Sequence, residues 1–423
     1  MKGKFLGRIE FEKEEAGFLA DYAMKSRDSA GREHPEAEHD LRSCFQRDRD
    51  RIVHCNAFRR LEYKTQVFVI HEGDYYRTRL THTMEVAQIA RSLARNLRLN
   101  EDLTEAIALA HDLGHTPFGH SGEEVLNRLM KTHGGFEHNK QSLRIVTKLE
   151  KRYPDFDGLN LTHEVLEGLD KHRTEYDKPV FTGSFGTLEA QIVNLSDEIA
   201  YHTHDLDDGI KSKLISLEDL NDIELCRELL NKIGNKEDVD VKRYQMVKFL
   251  INGFCKDLIE QALINIDRYN IASVADVRKA ASKIITFSAK MEAKKKLLKE
   301  FLYTRLYKHF RVVRMEVKYQ TILTQLFDKY TRYFEHAPKK KKYSMLPPEI
   351  RAKAGKGNDK YRVICDHIAS MTDSYALEEY KKLFDSDEKV FSAKPEIISL
   401  TFFRCVMDAT GSGSFFQRSI SEE

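Results

Sequence analysis

The sequence lacks the marks of several large protein classes. None of its six cysteines (Cys44, Cys55, Cys226, Cys255, Cys365, Cys405) falls in a Cys-x-x-Cys pair. That excludes a zinc ribbon and a thioredoxin-type redox motif. Scattered thiols of this kind fit a reducing compartment, so a cytoplasmic location is expected. No window of membrane-spanning length is continuously apolar, so no transmembrane helix is expected. The opening residues, MKGKFLGRIEFEKEE, hold no apolar core of signal-peptide length. Charge excess is missing too: 69 Lys and Arg face 67 Asp and Glu, a net of +2. The chain as a whole is therefore not a polybasic nucleic-acid binder. Alternating strand patterns are almost absent and no internal repeat is evident. What remains is a chain of 423 residues, 41% hydrophobic and 32% charged. That is the balance of a soluble globular protein, with length enough for one large helical domain or two. The expected fold class is all-α.

The chemistry concentrates in one stretch, Ala108 to Glu123: ALAHDLGHTPFGHSGE. His111, Asp112, His115, His120 and Glu123 stand there among three glycines and a proline. The residues before it, Leu103 to Leu113, read as an apolar helix, and another helix is expected after Ser121. The polar groups thus fall at a helix end and in the tight turn beyond it, where glycine permits unusual dihedrals and close approach. Adjacent residues such as His111 and Asp112 cannot share one helical face. They can converge on an ion lying beyond a helix that ends there. An imidazole nitrogen with a carboxylate oxygen suits Mn, Fe, Zn or Ni, and carboxylate-rich sites also take Mg.

In chain order, residues 1–16 are charged and expected to fray, and Phe18 to Met24 reads as a short helix. Ser26 to Asp40 reads as a loop. Arg42 to Arg60 has a helical apolar stripe and six arginines. It reads either as a salt-bridged face or as a row of arginines meeting an anion. Val67 to Ile70 is a short apolar run, and Gly73-Asp74 a turn. His82 is expected at the start of a helix from Thr83 to Leu97, beside Arg77 and Arg79. A helix N-terminus next to arginines favours phosphate. Further helices are expected over Glu124 to Met130 and Gln141 to Glu150, then one capped by Thr162. Arg173 to Gly186 reads as irregular.

Thr187 to Asp205 reads as a long helix with Asp197, Tyr201 and Asp205 on one face. Asp lowers helix propensity, which marks Asp197 as a candidate for a task. Helical patterns continue from Ser216 to Tyr333, over Tyr361 to Thr372, and onward through Tyr375 to Phe384. Lys339 to Lys342 is the one notable basic cluster, either a solvated loop or an acidic or nucleic-acid contact. The expected organisation is an N-terminal segment 1–40, a catalytic core 41–215, a helical region 216–385 and a tail 386–423.

Four candidate metal ligands stand out: His82, His111, Asp112 and Asp197. Two imidazoles and two carboxylates fill four positions of an octahedral ion and leave two for water or phosphate oxygen, an open site of catalytic type.

This pattern resembles the HD phosphohydrolase superfamily. The runs RDRDRIVHCNAFRRLEYKTQVF, YYRTRLTHTMEVAQIARSLA, AIALAHDLGHTPFGHSGEEVLN and LEAQIVNLSDEIAYHTHDLDD resemble the deoxynucleoside triphosphate triphosphohydrolase family, over Tyr22 to Phe384. The resemblance implies a helical HD core with additional C-terminal helices, homo-oligomeric assembly, and cleavage of a dNTP to deoxynucleoside plus tripolyphosphate. It implies the same four metal ligands, for Mn²⁺ or Mg²⁺ foremost. His120 with Glu123 would be the catalytic pair, and His115 and His138 would lie near the phosphates. Tyr201 and Asp205 would line the sugar pocket. Arg60, Lys64, Gln66, Arg77 and Arg79 would fall in runs that contact nucleotide. Water attacking the α-phosphorus releases a 5′ alkoxide, which leaves poorly unless protonated; His120 could supply that proton. The rival readings are another HD enzyme, a nucleotide phosphodiesterase or single-strand nuclease, and a nucleotide sensor or nucleic-acid binder with weak activity. A second dNTP as activator and single-stranded nucleic acid as a secondary ligand are further candidates.

Overall fold

The computed structural model describes residues 6–66, 77–170, 185–232, 238–336, 345–355 and 359–388. The expected apolar run Val67 to Ile70, the Gly73-Asp74 turn, the lysines 339–342 and most of the tail lie outside them. Contacts divide the chain into two units, Met1–Tyr380 and Lys381–Glu423. The core and site described below belong to the first.

The fold is all-α. Among the described residues there are helices and isolated bridges but no strand. The helices run α1 (Arg8–Phe18), α2 (Cys44–Val53), α3 (Asn56–Arg60), α4 (Arg79–Asn96), α5 (Glu101–Ala110) and α6 (Gly119–Leu129). Next come α7 (His138–Arg144), α8 (His163–Leu169), α9 (Leu188–Lys211), α10 (Glu224–Leu230), α11 (Val239–Arg268) and α12 (Val274–Lys279). The last are α13 (Ala289–Leu302), α14 (Phe310–His336), α15 (Pro348–Gly355), α16 (Lys360–Ala369) and α17 (Asp373–Phe384).

Helices α4, α5 and α9 pack on one another at the centre; α2 covers α5, α11 covers α9, and α14 lies against α6 and α16. The sequence dictates this centre. Val86, Ile89, Ala90, Leu93 and Leu97 follow helical spacing on α4, and all are buried. Ala106, Ile107, Ala108 and Ala110 of α5 are completely buried. The small alanine side chains let neighbouring helices approach closely. Each buried Leu or Ile contributes about 1.5–3 kcal/mol.

Helix boundaries differ from the sequence expectations where caps intervene. Thr78 accepts from the Thr81 amide, so α4 begins at Arg79 and His82 lies inside its first turn. Asn100 accepts from the Leu103 amide, which starts α5 two residues early. Its helix ends at Ala110, with His111 as the C-cap. Residues 8–16, expected to fray, lie in α1, which runs on to Phe18, and the expected helix over Phe18 to Met24 is a turn beyond Phe18. The arginine-rich stretch is broken into α2 and α3 around His54 and Cys55. Thr162 precedes α8 but makes no side-chain cap. Its hydroxyl donates instead to Asp48 at 2.6 Å. Helix α7 starts at His138 and gives way to a wider turn, Ile145–Leu149. α9 runs on to Lys211, and α16 and α17 are separate helices.

Candidate active site

The end of α5 and its loop are held from beneath. Ser142 Oγ accepts from the Gly114 amide at 2.8 Å and donates to the His111 carbonyl at 3.0 Å. Gly114 has no alternative: a Cβ there would lie 2.1 Å from the His138 carbonyl. With the loop so fixed, four donor atoms from three helices meet. His82 Nε2 lies 3.1 Å from Asp197 Oδ1. His111 Nε2 lies 3.2 Å from Asp112 Oδ1 and 3.6 Å from Asp197 Oδ1. His82, His111 and Asp112 are buried and offer ligand atoms all within 4.8 Å of one another. For metal bonds of ~2.1 Å, neighbouring donors stand ~3.0–3.4 Å apart in octahedral or tetrahedral geometry. The donor set therefore fits a divalent cation both in spacing and in its mixed nitrogen and oxygen chemistry.

The far side of each ligand is also specified. His111 Nδ1 donates to the Ala108 carbonyl at 2.6 Å, leaving Nε2 as a lone pair. His82 Nδ1 meets His204 Nδ1 at 3.3 Å, and His204 Nε2 reaches Glu85 Oε2 at 2.7 Å. Burial drives His204 down to about 4 despite the carboxylate beside it. Burial alone would raise Glu85, but His204 and Arg77 hold it at about 2. A neutral His204 facing an ionised Glu85 donates from Nε2 and accepts at Nδ1. His82 must then donate from Nδ1, and its Nε2 lone pair faces Asp197. Fixing the tautomer through the outer nitrogen is how a ligand histidine is oriented.

Asp112 divides its oxygens. Oδ1 faces His111 and also lies 3.1 Å from His115 Nε2. Oδ2 accepts from Arg79 Nη1 at 2.9 Å. Burial would raise this carboxyl, but His111, His115 and Arg79 hold it well below the usual range. Arg79 itself is 2% exposed, and its Nε and Nη2 find no partner among the described residues. A buried guanidinium with two unused donors is a costly arrangement unless an acceptor arrives.

A second group adjoins the first. The His115 and His138 rings stack at 4.0 Å. Glu123 Oε1 accepts from both the His138 amide and Nδ1 at 2.9 Å. His120 Nδ1 lies 3.9 Å from Glu123 Oε2, and its side chain is 66% exposed. Both residues belong to the first turns of α6 rather than to the preceding turn. They border a cavity of about 640 Å³. Burial, then Arg79 and His138, push His115 well below the usual histidine range.

The remaining expected residues are placed differently from one another. Arg77 is tied to Glu85, Asp207 and Asp208. Lys64 is buried, with Nζ donating to the His115 and Ala369 carbonyls. Burial lowers its pKa to about 7. Gln66 is buried, and Arg60 is exposed at the end of α3. Asp205 is fully buried and accepts from the Tyr307 hydroxyl. Tyr201 and Tyr307 face each other with ring centroids 6.2 Å apart. Lys64 and Arg77 thus each have hydrogen-bond partners within the protein itself.

Sequence reasoning missed His204, Glu85 and Tyr307. For His204 a signal existed: it lies two helical turns beyond Asp197 on α9.

These helices and this donor set define an HD-type phosphohydrolase. A family model described as HD domain matches residues 79–202, and one described as Phosphohydrolase-associated domain matches residues 285–382. A protein of Geobacter sulfurreducens is 52% identical over 383 residues, covering 88% of this chain and 96% of that protein. One of Geobacter metallireducens is 51% identical over 393 residues, covering 90% and 99%. One of an Azoarcus species is 49% identical over 377 residues, covering 86% and 96%. The chain belongs to the family of these relatives, each named deoxyguanosinetriphosphate triphosphohydrolase-like protein.

Proposed function

We propose that the protein hydrolyses deoxynucleoside triphosphates, dGTP among them, to deoxynucleoside and tripolyphosphate by water attack at the α-phosphorus. His82, His111, Asp112 and Asp197 would hold the divalent ion, Mn²⁺ or Mg²⁺ foremost, with Fe, Ni or Zn as alternatives. Such an ion makes water nucleophilic near neutral pH and offsets phosphate charge. The observation that carries this reading is Arg79. Its two unused buried donors, next to metal ligand Asp112, call for an oxyanion at that place. A phosphate oxygen supplies one and gains a charge-assisted hydrogen bond.

His120 faces the cavity and serves as proton donor to the 5′ oxygen of the leaving deoxynucleoside. Glu123 orients it and also anchors His138. His115, kept neutral by burial, donates from Nε2 to Asp112 and presents Nδ1 as an acceptor. Tyr201, with Tyr307 opposite, forms the aromatic wall for the deoxyribose, and Asp205 orients Tyr307. Arg60, exposed, and Gln66, buried, are kept as further nucleotide contacts. Lys64 acts by fixing the loop, and Arg77 by holding Glu85. The resemblance extends the reading to a homo-oligomer, and the scattered thiols to one acting in the cytoplasm.

The test is product analysis with each dNTP and with GTP, in Mn²⁺ or Mg²⁺, resolved by ion exchange, with His111→Ala alongside. Deoxynucleoside plus tripolyphosphate, lost in the variant, is expected. Pyrophosphate or orthophosphate would move the reading to another HD chemistry. Silence with single dNTPs and with mixtures would overturn it.

A further inference from the structure

Two consecutive residues at the start of α6 have left-handed backbones: its N-cap Phe118 (φ 62, ψ 27) and its first residue Gly119 (φ 59). For glycine this is easy, but for phenylalanine it is disfavoured and persists only where surroundings impose it. A cause is visible in the phosphohydrolase-associated region. Asp373, the first residue of α17, is 2% exposed. Its Oδ1 accepts from the Phe118 amide at 2.9 Å. Its Oδ2 accepts from the Thr65 amide at 3.0 Å and from the Thr65 hydroxyl. The Phe118 ring stacks on Tyr319 of α14, with centroids 4.2 Å apart and planes 10° from parallel. Next to Thr65, Lys64 joins the His115 carbonyl to the Ala369 carbonyl at the end of α16. Both ends of the loop from His115 to Phe118 are therefore gripped from α16 and α17.

This grip bears on His120. That side chain is largely exposed, 3.9 Å from Glu123 and edge-to-face with the His115 ring at 6.0 Å. Where those contacts aim it depends on the backbone beneath it. We propose that Asp373 is a positioning residue, whose carboxylate holds the left-handed Phe118–Gly119 turn and thereby aims His120 at the leaving oxygen. The phosphohydrolase-associated region then contributes to the reaction without touching the substrate. This rests on the reading of His120 as proton donor. Asp373 touches none of the four metal ligands in any described contact, so metal binding should be independent of it.

The experiment compares the full-length protein with Asp373→Asn and, as a milder change, Thr65→Val. Amide hydrogen exchange is followed over residues 114–122, Mn²⁺ affinity by titration, and kcat and KM with the preferred dNTP. In Asp373→Asn, loop exchange should rise by about tenfold or more while α4 and α5 keep their protection. A small displacement of His120 should lower kcat by about 10- to 100-fold, with KM and Mn²⁺ affinity changed less than about twofold. Thr65→Val should move the same readouts in the same direction by less. Unchanged loop exchange in Asp373→Asn would overturn the clamp, and so would equal losses of kcat and Mn²⁺ affinity. If the wild-type protein turned over no dNTP, the proposed function would fail while the exchange measurement still decided whether Asp373 holds the loop. Should Asp373→Asn unfold, Thr65→Val alone decides, through loop exchange against Mn²⁺ affinity.

Discussion

The two halves of the site are held in opposite ways. His82, His111 and Asp112 are 1–3% exposed and come from, or cap, the packed helices α4 and α5. Their outer atoms are bound in turn by Ala108, His204 and Arg79. His120 and Glu123 stand on α6, next to a strained turn, at the edge of an open cavity. The difference suits the proposed roles of the two halves, a cation site and a proton donor. A cation site needs fixed lone pairs in a dry, charge-dense place. A proton donor at a cavity edge can exchange with water between turnovers. Its backbone is held by contacts from elsewhere in the chain.

The comparison is broken most severely by removing a ligand from the rigid half. His111→Ala or Asp112→Ala should abolish bound metal and lower turnover by at least about 10³-fold, because several kcal/mol of charge stabilisation go with the ion. Metal content by mass spectrometry, with product release, checks it. Retained metal with full turnover would show that the four donors are not the working site.

On the open half, His120→Ala should lower kcat by about 10²–10⁴-fold, the range for a lost general acid or base. Mn²⁺ affinity should stay as in the wild type. A matching loss of metal affinity would erase the distinction between the halves.

What was legible in the sequence tracks this same division. His82, His111, Asp112 and Asp197 could be picked out because each lies on or at the end of a strongly periodic helix, and their spacing survives folding. The caps Thr78 and Asn100 moved helix starts by two to four residues, and so placed His82 inside α4. Contacts made across the fold left no local pattern. Lys64 reads as a nucleotide contact in a charged run, and its burial against two backbone carbonyls, one of them more than three hundred residues away, leaves no trace in the local sequence. Asp373 opens an ordinary helix, and nothing near it in sequence points to Phe118. His204 repeats the face of Asp197, but only the packing of α4 on α9 brings it to His82 and Glu85.

A finer cut sharpens the comparison within the rigid half. Glu85→Gln replaces the acceptor for His204 Nε2 with an amide and loosens the tautomer of His82. Mn²⁺ affinity should fall by about 10- to 100-fold, as for other outer partners of metal-bound histidines. At saturating Mn²⁺, kcat should largely recover. Recovery separates this effect from loss of a ligand; unchanged affinity would dismiss the relay.

The smallest effect on turnover is expected from Glu189, on the N-terminal turn of α9. Its Oε1 accepts from the Met24 and Asn100 amides, tying α9 to the cap of α5 and to the N-terminal segment. Its Oε2 is buried and finds no hydrogen-bond donor within normal distance among the described residues. Burial raises its pKa to about 7, against an ordinary 4.5. The folded state therefore binds this proton more tightly than the unfolded chain. The associated stability is complete below pH ~4.5 and is lost as pH rises through ~7. A shift of this size corresponds to about 3 kcal/mol at most, which a folded protein carries as a burden at alkaline pH. Glu189→Gln keeps an oxygen for both amides and removes the charge. It should leave kcat unchanged and raise the melting temperature at pH 8 relative to the wild type, with the gain vanishing near pH 4.5. A gain that did not depend on pH would mean that the carboxyl is not ionising in the folded protein. A loss at every pH would mean that the amide cannot replace it, and that the tie between α9 and α5 depends on the charge.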